Sequence, residues 1–426
     1  MATIEEQARS SATKPVKVMN IGLIGIGVGA AEILPAMEAM DEIDLIAGAD
    51  IVPATRERFQ ARYPRAKVYA SAEELVKDPN VDAVWIASPN RFHAEHSILA
   101  ANHGKHVVVE KPMGLDLKQA AAMIEAADKN GVKLLAGHTR SYTLPIQGMR
   151  KIITSGKLGG VRAINLLAYS DWMLRPRTAD ELDINQGGGI PYRQGPHQID
   201  TVRVLGGGML RSVRGMTGQW MPERPIPGYY SAFLEFENGL PSTIIHNGYG
   251  YFLGAELVPW GESRQRYTLD ERVAVRRSMR DGTRNETQDK QDLRIGGAAE
   301  EETFRQREEQ KPWVPEDMGI LIVSCERGDI RHSKFGLWVY DDEGLKDVDL
   351  TPDRVMGVGQ RRAELEEIYN GAVLGQPLFH DGRWGMATLE VCLAIMESAK
   401  TRKEIMLQHQ VPVAPSYDEH LPEIAY

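Results

Sequence analysis

The stretch VMNIGLIGIGVGAA, residues 18–31, constrains what this chain can fold into more than any other. Residues 18–24 form an apolar run of the length of a buried strand. Gly25, Gly27 and Gly29 follow, and Ala30 leads into a segment of helical composition reaching residue 40. Strand, glycine turn and helix, in that order, make a cradle for a pyrophosphate. Gly25 permits a tight turn. Gly27 removes the Cβ that would hold the backbone away from a phosphate. Val28 beside it is a further expected cofactor contact, and the small Ala30 lets the helix pack on the strand. The first helical turn then offers N–H groups and partial positive charge. A second apolar run, Ile43–Ala49, ends in Asp50, an acid suited to ribose hydroxyls. No arginine follows Asp50 directly, and Arg56 is too far along to clamp a ribose phosphate. NAD is therefore the expected cofactor and NADP the alternative.

The same rhythm continues. Apolar runs at 18–24, 43–49, 81–87, 106–109 and 132–136 alternate with helical stretches and show little period-two patterning. That is the pattern of parallel strands buried on both faces, hence a doubly wound Rossmann sheet over residues 17–140. Gly25, Asp50, Ser88-Pro89-Asn90 and Glu110-Lys111-Pro112 all fall at strand ends, where such a sheet binds its ligand. After residue 138 the rhythm changes. One helix at 144–155 is followed by strand-like runs at 161–171, 209–221, 229–237, 241–249, 320–325, 335–340 and 345–350. They predict an α+β domain over 141–408 with a large, mostly antiparallel, open-faced sheet, completed by helices at 361–374 and 383–403. Residues 1–16 read as a polar tail and 409–426 as an extended one. The charged, apolar-poor stretch 281–311 reads as a mobile insertion.

Composition excludes other classes. A chain of 426 residues can hold two full domains, and a net charge of −9 gives no reason to expect nucleic acid or an acidic membrane as partner. No apolar run approaches the ~18 residues of a membrane span. Glu5 and Glu6 stand where a signal peptide would be basic. Cys325 and Cys392 show neither metal-ligand nor disulfide spacing, so no metal is expected and a reducing cytoplasm fits.

Two segments carry candidate chemistry. In GKHVVVEKPMG, residues 104–114, Lys111 stands just beyond a buried strand and faces the expected crevice. An ammonium there can hydrogen-bond a substrate hydroxyl, and beside an oxidised nicotinamide its pKa falls, which allows proton transfer. In GGGIPYRQGPHQIDTVRVLGG, residues 187–207, glycines lead into a helix that places His197 and Asp200 on one face. His197 can act as a base near neutral pH, with Asp200 orienting it.

The fingerprint together with SPNRFHAEHSILAANHGKHVVVEKP, residues 88–112, and the late segment DGRWGMATLEVCLAIMESAKT resembles the Gfo/Idh/MocA oxidoreductases. The resemblance implies an NAD or NADP domain followed by an open-sheet domain. It implies cofactor contacts at Gly25, Gly27, Asp50, Ser88, Asn90, His93, Glu110 and Lys111, and an active-site role for His197. It also implies a homodimer or homotetramer formed through the open sheet face. Sugar-active members carry an aspartate four residues before that histidine, where this chain has Arg193. Arginine offers a planar fork suited to a carboxylate. Arg140, Arg175 and Arg177 could join Arg193, and Trp172 and Tyr192 could flank a flat ring. The phrases LRPRTADELD and CERGDIRHSKFGLWVYDDEG further resemble a branch of the family, the phthalate 4,5-cis-dihydrodiol dehydrogenases. The expected reaction is hydride transfer from a ring hydroxyl of an anionic cyclic substrate. A sugar or inositol dehydrogenase, a nicotinamide-assisted lyase and a non-catalytic cofactor sensor are the rival readings.

Overall fold

The computed structural model describes residues 17–424 and 426, apart from 138–139, 262–265, 296, 299–311, 316–317 and 351–358. Strands β1 (Met19–Ile24), β2 (Ile43–Ala49), β3 (Lys67–Tyr69), β4 (Ala83–Ile86), β5 (His106–Glu110) and β6 (Leu134–Gly137) form one sheet in the order β3-β2-β1-β4-β5-β6. Every pairing in it is parallel. Strand order reverses between β1 and β4, and the crevice opens there, beyond the carboxyl ends of the strands. β3 escapes a sequence reading because it is three residues long and only partly buried.

The second sheet has nine strands: β7 (Val161–Tyr169), β8 (Leu210–Gly218), β9 (Tyr229–Phe236), β10 (Pro241–Asn247), β11 (Ile320–Cys325), β12 (Gly328–His332), β13 (Gly336–Asp341), β14 (Gly344–Asp349) and β15 (Ile405–Met406). Their order is β14-β13-β12-β11-β7-β10-β9-β8-β15, antiparallel except for β7 beside β10. Helices Leu144–Thr154, Gly195–Gly206 and Gly382–Thr401 cover one face, with Met149, Ile199, Val202 and Ile395 in one core with Ile164, Leu234 and Val323. Phe233, Thr243, Asn165 and Ile322 lie in register across the opposite face, where Phe233 is 50% exposed. Among the described residues, no helix is long and apolar enough to cross a membrane.

Three expectations of domain layout are corrected. The helix expected at 361–374 spans Gly359–Val373 and does not complete the second domain. Its Leu365, Ile368 and Tyr369 pack with Met19, Ile33, Leu34 and Met37 of the Rossmann domain. Leu365 and Ile368 are fully buried there, each worth on the order of 1.5–3 kcal/mol of removed apolar surface. Residues 281–295, read as the start of a mobile insertion, carry the helix Glu286–Asp292 capped by Asn285 and are tied to the loop after β7; residues 299–311 lie outside the described part, as do 1–16. The tail after 409 is docked. Helix Pro415–Glu419 brings Asp418 to Arg150, both carboxylate oxygens 2.8 Å from guanidinium nitrogens, and stacks Tyr417 on Phe379.

Candidate active site

At the end of β1, Gly25 has φ +88°. A Cβ there would meet the backbone of Ser88 at 2.7 Å, so only glycine lets the ends of β1 and β4 approach this closely. A Cβ on Gly27 would instead meet nothing within 4 Å. Gly27 caps the helix Val28–Glu38, whose first turn has neither a side-chain cap nor an acidic residue. Asp50 closes β2. Its carboxylate accepts the Ile26 N–H at 3.0 Å and the Val52 N–H at 2.8 Å, which fixes it beside the glycine turn. Open space at Gly27, an uncapped helix start and a held acid at Asp50 fit a dinucleotide. Gly25, Gly27, Val28 and Asp50 would hold its phosphates and ribose. Ile51, 83% exposed beside Asp50, is an apolar surface that sequence reading passed over. Arg56 lies nearer than expected, donating to the Asp50 carbonyl at 2.7 Å.

The other strand ends are stitched to one another. The ring nitrogens of buried His93 lie 2.8 Å from the carbonyl oxygens of Pro112 and Ser88. His93 thus ties the turn after β5 to the turn after β4, and burial lowers its pKa against the pull of those carbonyls. Ser88 Oγ pairs with His96 Nδ1 at 3.0 Å. The Asn90 amide is committed to the second domain: Nδ2 donates to the Gly187 carbonyl at 3.1 Å and Oδ1 accepts from Arg193 at 3.0 Å. So His93 and Asn90, expected as cofactor contacts, have their polar atoms on protein partners.

Lys111 follows β5, and its peptide to Pro112 is cis. Its Nζ donates to the Arg193 carbonyl at 3.2 Å, at the end of the short helix Ile190–Arg193; His197 stands four residues on, in the first turn of the next helix, Gly195–Gly206. Burial, reinforced by the Arg193 charge and opposed by Glu110, lowers the Lys111 pKa to about 8. Glu110 itself pairs with Arg361 at 2.9 Å, and Arg361 also reaches Glu364 at 2.9 Å and Glu32 at 3.1 Å. Burial opposes the Arg361 charge, but the three carboxylates outweigh it and raise its pKa. Burial also pushes Glu364 up to about 7. Arg361 stands in the late helix that returned to the Rossmann domain, and its reach to β5 has no local signal in the sequence.

Arg193 and Arg177 meet as expected, around an acid that sequence reading did not single out. Glu181 pairs with Arg193 at 2.7 Å, Lys290 at 2.9 Å and Arg177 at 3.7 Å. Burial works against its charge, but these three cations hold its carboxyl well below the usual range. Burial lowers Arg177 to about 9, with Arg193, Arg175 and Arg224 repelling it, and lowers Lys290 too. Beside them, Arg175 pairs with Asp171, Arg224 with Glu286 and Arg284 with Asp289, each within 2.9 Å.

Other expected residues do not join. The Arg140 side chain forms no hydrogen bond or ion pair with this cluster among the described residues; its carbonyl caps the next helix through Thr143. Trp172 is 2% exposed and sits in the second domain's core, its ring covered by the Arg177 guanidinium at 3.8 Å. Tyr192 is buried against the Rossmann domain and donates to the Leu115 carbonyl at 3.0 Å. Neither flanks an open slot. Asp200, 0% exposed, turns from the crevice and accepts from Trp384 Nε1 at 2.6 Å. No group of three or more metal-ligating side chains occurs among the described residues.

Comparison with known proteins agrees with this architecture. Residues 19–138 match the oxidoreductase family with an NAD-binding Rossmann fold, and residues 146–250 match the GFO/IDH/MocA C-terminal domain. The chain belongs to the Gfo/Idh/MocA oxidoreductases. It is similar to 1-carboxy-3-chloro-3,4-dihydroxycyclohexa-1,5-diene dehydrogenase of Comamonas testosteroni, with 31% identity covering 90% of this chain and 95% of the relative. A solved structure from Bordetella bronchiseptica RB50, described as that of a dehydrogenase, superposes with a TM-score of 0.81 at 33% identity, covering 91% of this chain and 100% of that one. An Agrobacterium radiobacter oxidoreductase solved with NAD+, L-tartaric acid and magnesium shares the fold alone, with a TM-score of 0.66 at 18% identity over 91% and 98% of the two chains. This Gfo/Idh/MocA member is an NAD(P)-dependent dehydrogenase acting on a small organic substrate.

Proposed function

We propose that this enzyme oxidises a ring hydroxyl of a carboxylate-bearing cyclic cis-diol, with a phthalate-type 4,5-cis-dihydrodiol as the specific substrate. One observation carries the reading: the Lys111 amine is bonded to the backbone of Arg193, whose guanidinium belongs to a cluster in which three cations share one carboxylate. A neutral polyol has no use for that excess of positive charge, whereas ring carboxylates do. The similarity to a dehydrogenase of a carboxylated ring diol supports it.

The nicotinamide cofactor, when bound, supplies the hydride acceptor. Lys111, with a pKa near 8, takes the hydroxyl proton as its neutral amine or stabilises the alkoxide as its ammonium. His197, in the first turn of the helix that follows the one Lys111 touches, shares the handling of that proton. Arg193 holds the ring's carboxylate and so fixes which hydroxyl faces Lys111. Glu110, neutralised by Arg361, keeps β5 and its lysine in place. NAD is preferred over NADP through Asp50. In this reading two or four copies associate through the open face of the nine-stranded sheet, around Phe233.

The test is a substrate panel followed by NADH formation: a carboxylated cis-dihydrodiol, its carboxamide analogue, and neutral inositols and sugars. Turnover confined to the carboxylated diols is expected. Faster turnover of inositol would replace this reading with that of a sugar-type dehydrogenase.

A further inference from the structure

Glu181 has the bonding of a bound ligand. One oxygen accepts from Arg193 at 2.7 Å and Lys290 at 3.1 Å. The other accepts from Lys290 at 2.9 Å, from the Thr178 N–H at 2.8 Å and from the Thr178 hydroxyl at 3.1 Å. A guanidinium, an ammonium, a backbone N–H and a hydroxyl make a complete carboxylate site. The site is oversupplied with cations. Neighbouring Arg175, Arg224 and Arg284 pair with Asp171, Glu286 and Asp289, whereas among the described residues Arg177, Arg193 and Lys290 share the single carboxylate of Glu181. Arg177 Nε is also buried with no hydrogen-bond partner among the described residues. Glu181 sits in a three-residue helical turn, Asp180–Leu182, ahead of Gly187 and Gly189, both at positive φ. A short turn next to glycines can shift without unmaking either sheet.

Building on the function proposed above, we propose that Arg177, Arg193 and Lys290 form the seat for a substrate's carboxylates, and that Glu181 occupies that seat until a dianionic ring diol displaces it. Glu181 keeps three closely spaced, half-buried cations from repelling one another while the site is empty of substrate. It also sets specificity. An incoming anion must outbid a resident carboxylate, so two adjacent carboxylates displace it more readily than one, and a neutral ring does not displace it. The observed affinity is the intrinsic affinity reduced by the fraction of molecules in which the seat is open.

The experiment uses the full-length enzyme with NAD+ and two non-reacting probes, phthalate and benzoate, titrated by calorimetry. Glu181→Gln keeps the shape and removes the charge. It should bind phthalate at least about tenfold more tightly than the wild type, with a smaller gain for benzoate. Equal or weaker phthalate binding by the variant overturns the proposal and makes Glu181 a structural support of the arginines. A second measurement needs no variant. Saturating phthalate should speed hydrogen exchange at the Thr178 amide of the wild type, because its acceptor leaves; slowed or unchanged exchange overturns the proposal. If neither protein binds phthalate or benzoate, the anionic-substrate reading fails and this proposal with it. If both bind phthalate alike, only the role of Glu181 fails.

Discussion

The nucleotide crevice and the charged cluster beyond it are built by opposite means. The crevice is made of backbone at the ends of strands: Gly25 against Ser88, the Gly27 helix start, Asp50 fixed by two N–H groups. Its charges are tied down by close neighbours. The cluster is made of long side chains from separate segments of chain, and in it Arg177, Arg193 and Lys290 share the one carboxylate of Glu181. Sheet topology fixes the first, whereas the second can be rewritten by changing a few loop residues. Such a division lets one scaffold keep its cofactor while its substrate changes.

The sharpest way to break this comparison is at the residue that joins the two regions. Lys111→Ala should lower turnover by ~10²–10⁴-fold while NAD affinity stays within about tenfold, ~1.4 kcal/mol. Steady-state rates and cofactor titration measure the two, and retained turnover would remove Lys111 from the chemistry. Next in size, Arg193→Met should raise KM for a carboxylated diol by ~10–100-fold, about 1.5–3 kcal/mol for a lost charge-assisted hydrogen bond. NAD affinity should not change, and a parallel loss there would make Arg193 a general support.

Within the crevice the two glycines should separate. Gly25→Ala, forced to φ +88° and into Ser88, should cost about 1–3 kcal/mol of stability in urea unfolding. Gly27→Ala should leave stability within ~0.5 kcal/mol yet weaken NAD binding, since its Cβ enters open space where a phosphate belongs. With Lys111 lowered to about 8, kcat/KM for oxidation should rise about tenfold per pH unit below that value and level off above it, because the neutral amine is the proton acceptor. A flat profile would assign Lys111 to charge stabilisation instead. Smallest of all, Asp200→Asn should leave kcat and KM within about twofold, since this carboxylate faces Trp384.

What could be read from the residues follows the same division. Strand ends and glycine turns are local, so the Rossmann sheet, Gly25, Asp50 and Lys111 stand in the sequence in plain view. The helix Gly359–Val373 is legible as a helix, but its own pattern does not say which domain it covers. Trp172 and Tyr192 look like ring-binding aromatics because burial is not visible in a loop sequence. Glu181 and Lys290 stand 109 residues apart and meet only through tertiary structure. Asn90 and His93 read from the sequence as strand-end residues, but their partners depend on how the two turns and two domains meet.

The return of helix Gly359–Val373 to the Rossmann domain has a bearing on synthesis. During translation the first 140 residues emerge long before the segment that seals their apolar flank around Ile33, Leu34 and Met37. The amino-terminal third must therefore wait, partly uncovered, until nearly the whole polypeptide has left the ribosome. A fragment ending at residue 140 would keep that flank bare and lack the guanidinium that neutralises Glu110. It should be prone to aggregate, even though it contains every residue of the phosphate cradle.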